Sequence, residues 1–243
     1  MKDNMKIYRY KEFDYIVRTP ESFSKDKKYP VIIGLHGAGG RGRDTDVLAT
    51  NPMFGETEKH NLDAVFVAPQ CYVNSWFDIF EQLQDFDYDQ YGVGPFLVLE
   101  NHFVKFIVKN DFCDANKVYL MGASMGGYGT WQLAMTMPEY FAAIVPICGG
   151  GMYWNAGRLK NVPVWAFHGA KDPTVFCEES KKMVNAVNNC GGNAKLTIYD
   201  DVEHNSWIGA YNTKEMFDWL LSKTLSGSDA PLKDKYDNVE QYG

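Results

Sequence analysis

The chain has 243 residues, 45% hydrophobic and 23% charged, with a formal net charge of -7. A chain this long buries a core that needs no disulfide or metal staple, and its negative surface makes nucleic acid and anionic membranes poor partners. Cys71, Cys113, Cys148, Cys177 and Cys190 are scattered, with no C-x-x-C pair. They argue against a disulfide framework or zinc site and for a reduced interior.

The first residues, Met1 to Lys6, lack the apolar core of a signal peptide, and no stretch has the apolar length of a membrane span. The expectation is a soluble, cytoplasmic protein, with a secreted mature form as the alternative. Short β-branched runs alternate with segments of helical period, which predicts helices on both faces of a mostly parallel twisted sheet. Residues 6–18 read as an antiparallel opening, and 31–35 as the first buried strand.

That strand runs into Leu35-His36-Gly37-Ala38-Gly39-Gly40-Arg41-Gly42, whose glycines let backbone N–H groups face outward. Ala38 is the expected anion-stabilising donor, with Gly39 as substitute. Gly37-x-Gly39-x-x-Gly42 also fits a dinucleotide fingerprint, but the next strand, 64–68, leads into Pro69-Gln70 and not into the acidic residue such a site requires. No cofactor is therefore expected.

The connection from Pro69 to Phe96 is long, aromatic and acidic at once. Asp85-x-Asp87-x-Asp89 resembles a calcium loop, but Gln90 and Phe96 stand where glycine and the bidentate glutamate belong, so no metal is expected. Trp76 and Phe77, with the distant Trp207, are expected to form an apolar platform for a substrate.

Residues 96–108 have helical spacing, and 117–121 read as a central strand. Gly122-Ala123-Ser124-Met125-Gly126 follows it, then a helix over 124–137 that Pro138 stops. A G-x-S-x-G between strand and helix holds the serine in a strained turn at a helix N-terminus, where the Met125 N–H favours developing negative charge. Strand 142–147 comes next, and only about a dozen residues separate it from strand 162–167, which leaves no room for a large lid.

Helix 178–189, strand 195–199 and helix 213–224 complete the pattern. Residues 1–225 are expected to form one catalytic domain, and 226–243 a loosely held polar tail.

A serine hydroxyl near neutral pH needs a histidine base held in one tautomer by a carboxylate. Only His168 and His204 follow Ser124. His168 ends a predicted strand and reads as structural, whereas His204 lies in the polar loop Asp200 to Asn205 and is assigned as the base. Asp172, just beyond strand 162–167, is the expected acid; Asp200 and Asp201 share the loop of His204 and are poorly placed to reach its far nitrogen.

With these residues in place the chain resembles the α/β-hydrolase superfamily over roughly residues 6–224. Gly122 to Trp131, Ile144 to Gly150 and His204-Asn205-Ser206-Trp207 look like the lidless phospholipase/carboxylesterase-like enzymes, which shade into polyhydroxybutyrate-depolymerase-like and feruloyl-esterase-like groups. The resemblance implies an α/β-hydrolase fold, a triad of Ser124, Asp172 and His204, and Ala38 and Met125 as oxyanion donors. The function expected from it is hydrolysis of a small-molecule or carbohydrate-linked ester, feruloyl or short-acyl. A lysophospholipase, acyl-protein thioesterase or serine peptidase is the alternative within the fold, and a non-catalytic binding protein the alternative outside it.

Overall fold

Eight strands run side by side in one sheet in the computed structural model, which describes residues 2–11, 13–72, 76 and 102–225. They are β1 (Met5–Tyr10), β2 (Phe13–Arg18), β3 (Tyr29–Leu35), β4 (Val65–Pro69), β5 (Cys113–Ala123), β6 (Ala143–Ile147), β7 (Val164–Gly169) and β8 (Ala194–Tyr199). The spatial order is β1-β2-β4-β3-β5-β6-β7-β8. β1 and β2 form the antiparallel opening and β2 pairs antiparallel with β4; every later pairing is parallel. This is the α/β-hydrolase fold.

The described helices are α1 (Thr45–Ala49), α2 (Pro52–Glu58), α3 (Val104–Val108), α4 (Met125–Thr136), α5 (Glu178–Asn189), α6 (Trp207–Asn212) and α7 (Lys214–Leu221). Because strand side chains alternate, Val31, Ile33, Val118 and Leu120 face one layer with Ile107, Trp131 and Met183. Ile32, Phe66, Tyr119 and Met121 face the other, with Phe54, Met216 and Phe217. Both faces are covered, which is why the inner strands read as unbroken apolar runs.

Several boundaries differ from expectation. β7 runs on through His168 and Gly169, which pair with Ile198 and Tyr199. The helix expected over 213–224 is α7, which ends at Leu221, and an unanticipated helix, α6, precedes it; the two are parted at Thr213, whose backbone is extended (φ -82°, ψ 98°). α1 and α2 were not anticipated, although both carry start signals: the Asp44 side chain accepts from Asp46 N, and that of Asn51 from Met53 N just before Pro52.

A short 3₁₀ helix, Tyr153–Leu159, occupies the connection expected to be too short for a lid. The acidic aromatic stretch 77–95, the start of the helix expected at 96, and the tail 226–243 lie outside the described residues.

Arg18 fixes α2 against the sheet. Its guanidinium donates to Phe54 O and Thr57 Oγ1, both at 2.7 Å, and lies 4.2 Å from the centre of the Phe66 ring. Since β3 and β5–β8 run parallel, their carboxyl ends share one edge of the sheet. Ala38, Ser124, Asp172 and His204 all follow those ends.

Candidate active site

Ser124 sits between β5 and α4 with φ 57° and ψ -117°, a conformation that a side-chain-bearing residue keeps only when its surroundings enforce it. The enforcement is visible in the backbone. Ser124 N donates to Ile147 O at 2.9 Å, and Ser124 O accepts from Tyr128 N at 3.0 Å.

Close packing completes the turn. A Cβ added at Gly122 would stand 2.4 Å from Gly126 O, and one at Gly127 2.4 Å from Ile147 O. α4 is buried almost all round, so it owes its place to this tight seating and to burial on both sides more than to an amphipathic stripe.

His204 Nε2 is 2.8 Å from Ser124 Oγ, and His204 Nδ1 is 2.7 Å from Asp172 Oδ2. The three residues assigned from the sequence therefore meet at hydrogen-bond distance across 80 and 32 positions of chain. Asp172 is buried, and its Oδ1 accepts from Thr174 N and Val175 N, both at 2.9 Å. Burial pushes this carboxyl's pKa up, but the hydrogen bonds from His204, Val175 and Thr174 outweigh it and hold the group below its ordinary value.

Asp201 is exposed and pairs with Lys171 Nζ at 2.7 Å, away from His204 Nδ1. The loops carrying acid and base are stitched together: Ala170 N donates to Tyr199 O at 2.9 Å and Lys171 N to Val202 O at 3.0 Å. Gly169 permits this approach, because a Cβ there would lie 2.1 Å from Glu203 O.

Ala38 opens a short 3₁₀ turn, Ala38–Gly40, and Met125 opens α4. Neither N–H donates to a carbonyl of the described residues. A Cβ added at Gly37 would touch Ser124 Cβ at 3.6 Å, so this loop lies directly against the serine. Two unclaimed N–H groups flanking a nucleophile are what a developing oxyanion requires.

The support of this loop was missed in the sequence. His36 is buried; its Nδ1 faces Gly37 O at 2.6 Å, its Nε2 accepts from Cys71 N at 2.9 Å, and its ring packs T-shaped with Trp76, centroids 5.1 Å apart. Gln70 Nε2 holds Gly40 O at 3.0 Å and Asp44 O at 2.8 Å. A glycine-rich turn held by polar side chains leaves no periodic signal; the one mark that could have found it is the His beside the glycines.

One donor and one acceptor contact fix His36 as a neutral imidazole, and burial lowers its pKa to about 4. Between that value and the unfolded value of about 6.5, the unfolded chain takes up a proton that the folded chain refuses. Stability should then fall as the pH drops from about 6.5 to about 4, by about 3 kcal/mol, and lose nothing further from this group below that. Urea unfolding across the range should show a shallower pH slope for His36→Gln than for the native chain; equal slopes would refute the assignment.

A cavity of about 580 Å³ opens beside Ser124 and His204. Val47, Pro52, Trp207 and Tyr211 give it apolar walls, and among the described residues no Asp, Glu, Lys or Arg lines it. Trp207 is T-shaped to the His204 ring, with centroids 5.5 Å apart. Trp76, also expected in a substrate platform, does not line the cavity: it is fully buried, with its indole N–H donating to His36 O at 3.1 Å, so its bulk supports the loop from beneath. Phe77, the third expected platform residue, lies outside the described residues.

Cys148 Sγ, an Asp172 oxygen and a His204 nitrogen lie within 4.8 Å of one another. The set does not suit a resident metal, because burial raises the thiol to about 12 and the carboxylate and imidazole already hold each other.

Residues 22–213 match the sequence model of a family described as Phospholipase/Carboxylesterase. The chain belongs to that family. It is 26% identical over 176 residues to a probable feruloyl esterase C of Aspergillus terreus, covering 71% of this chain and 59% of that protein. Among solved structures it is similar to a thermostable esterase, at 32% identity and a TM-score of 0.77, covering 92% of this chain and 64% of that one.

A ferulic acid esterase shares the fold at 17% identity and a TM-score of 0.65, covering 89% of this chain and 96% of that one. Against the first curated relative and the thermostable esterase, this phospholipase/carboxylesterase family member spans under two thirds of the partner's length. No helix of its described residues is long and apolar enough to cross a membrane.

Proposed function

We propose that the chain is a serine carboxylesterase that works through an acyl-enzyme. The observation that carries this reading is His204 bridging Ser124 Oγ and Asp172 Oδ2 at 2.8 and 2.7 Å. His204 Nε2 takes the hydroxyl proton as Ser124 attacks the ester carbonyl, and Asp172 stabilises the imidazolium that forms. The N–H groups of Ala38 and Met125 receive the oxyanion. His204 then protonates the departing alcohol, and water attacks the acyl-enzyme by the same route in reverse. The cycle closes with the chain's own residues and needs no metal or cofactor.

The substrate is an uncharged ester with an aromatic or short acyl group, feruloyl or another hydroxycinnamoyl among them, joined to a plant carbohydrate or small alcohol. Supporting this, a cavity of about 580 Å³ falls in the range that encloses small organic ligands, and its described walls offer no charge to pair with an ionised acyl group. Relatives named feruloyl esterase point the same way. Trp207→Ala should raise KM for a feruloyl ester about 10-fold, as expected for a lost aromatic contact, and change KM for an acetate ester far less. A uniform rise for both esters would remove Trp207 from acyl recognition.

A fluorophosphonate probe tests the nucleophile. It should attach to Ser124 in the folded protein; absence of an adduct there would leave a non-catalytic binding protein as the better reading. A panel of acetate, butyrate, feruloyl, long-chain, lysophospholipid and peptide substrates tests the class. Preference for long acyl chains or lysophospholipid would replace the feruloyl assignment with the lipid one, and peptide cleavage would make the enzyme a peptidase.

A further inference from the structure

Asp172 is approached by two imidazoles, and the mechanism above uses one of them. The other belongs to His168, next to last in β7, whose side chain is fully buried. Its Nε2 lies 2.8 Å from Val175 O and 3.3 Å from Asp172 Oδ2. Both of those groups are acceptors, so Nε2 carries a hydrogen. Its Nδ1 lies 2.7 Å from Ser180 Oγ, on α5.

Among the described residues, Asp172 Oδ1 is tied only to its own turn, through Thr174 N and Val175 N. The carboxylate can thus point no more accurately than the 172–175 turn is held. The bond from His168 Nε2 to Val175 O anchors that turn to the sheet.

We propose that His168 is a positioning residue of the proton relay: its Nε2–H fixes the turn through Val175 O and faces Asp172 Oδ2, so that the carboxylate meets His204 Nδ1 in line. The inference rests on the reading of Ser124, His204 and Asp172 as that relay. The ring acts in its neutral form. Burial lowers its pKa, and this outweighs the opposing hydrogen bond to Val175 O and the nearby Asp172 charge. The hydroxyl hydrogen of Ser180 then goes to Nδ1, while the 3.1 Å approach of Ser180 Oγ to Gly149 O would be a full bond only beneath a cationic ring.

Neutrality matters, because a cation facing Oδ2 would draw on the same negative charge that must stabilise the His204 imidazolium.

His168→Phe, His168→Gln and His168→Asn separate positioning from packing. A glutamine amide reaches the place of Nε2 and an asparagine amide only that of Nδ1. On a short-acyl ester, His168→Phe and His168→Asn should each lower kcat about 100-fold with KM little changed, the cost of a misplaced catalytic group. His168→Gln should recover at least about a tenth of native kcat. The low-field proton resonance of the His204 to Asp172 hydrogen bond should be lost in the phenylalanine and asparagine variants and kept in the glutamine variant.

Equal kcat for the glutamine and asparagine variants, or an unchanged resonance alongside lowered stability in all three, would overturn the proposal even where His168→Phe fails to fold. Hydrolysis persisting in Ser124→Ala would overturn instead the relay itself.

Discussion

Asp172→Asn should lower kcat about 10⁴-fold while leaving the unfolding transition close to native, because an amide both loses the charge beneath His204 and favours the wrong imidazole tautomer. The geometry makes the result specific. Asp172 is the carboxylate at 2.7 Å from His204 Nδ1, whereas Asp201 is engaged with Lys171. Asp201→Asn, which removes an exposed ion pair worth little, should keep activity within about twofold. Steady-state kinetics on one chromogenic ester decide the matter: a large loss at Asp201 with none at Asp172 would move the acid to the base's own loop.

The second large effect is on folding. Gly126→Ala places a methyl group 2.0 Å from Leu35 O and 2.9 Å from His36 O, all backbone at the end of β3. No side chain can rotate away to make room, so the end of β3 and the start of α4 must separate. The expected loss exceeds about 4 kcal/mol, most of the stability of an ordinary domain, and the variant should be insoluble or unfolded at ambient temperature.

Gly55→Ala is the control. An alanine there meets nothing within 4 Å and lies inside α2, so stability should be unchanged or higher by about 1 kcal/mol. Denaturant unfolding of the two variants should diverge accordingly; a well-folded Gly126→Ala protein would mean that the elbow tolerates a wider turn.

Ser124, Asp172 and His204, which meet at one edge of the sheet, were legible because each leaves a local mark. Gly122 and Gly126 stand where contact between strand and helix demands a missing Cβ, and that spacing shows in five letters. Asp172 and His204 were found by chain order and by their loops, since each follows a strand legible in the sequence, the buried β7 and the partly exposed β8. The platform was less legible: a tryptophan near a site looks the same in sequence whether it faces the cavity, as Trp207 does, or lies under the oxyanion loop, as Trp76 does.

His36, Gln70 and His168 escaped functional notice for a related reason. Each acts through one or two bonds to backbone groups, which no periodicity reports.

The sequence by itself determined the alternation of strands and helices, the strained serine and the identity of its two partners, because burial periodicity and glycine placement are properties of neighbouring residues. The tertiary structure alone decided where β7 ends, which aromatic faces the cavity and which polar groups hold the loops in register. Those depend on pairing and packing between segments far apart in the chain, and the free energy of such contacts is carried jointly by residues that no local window contains.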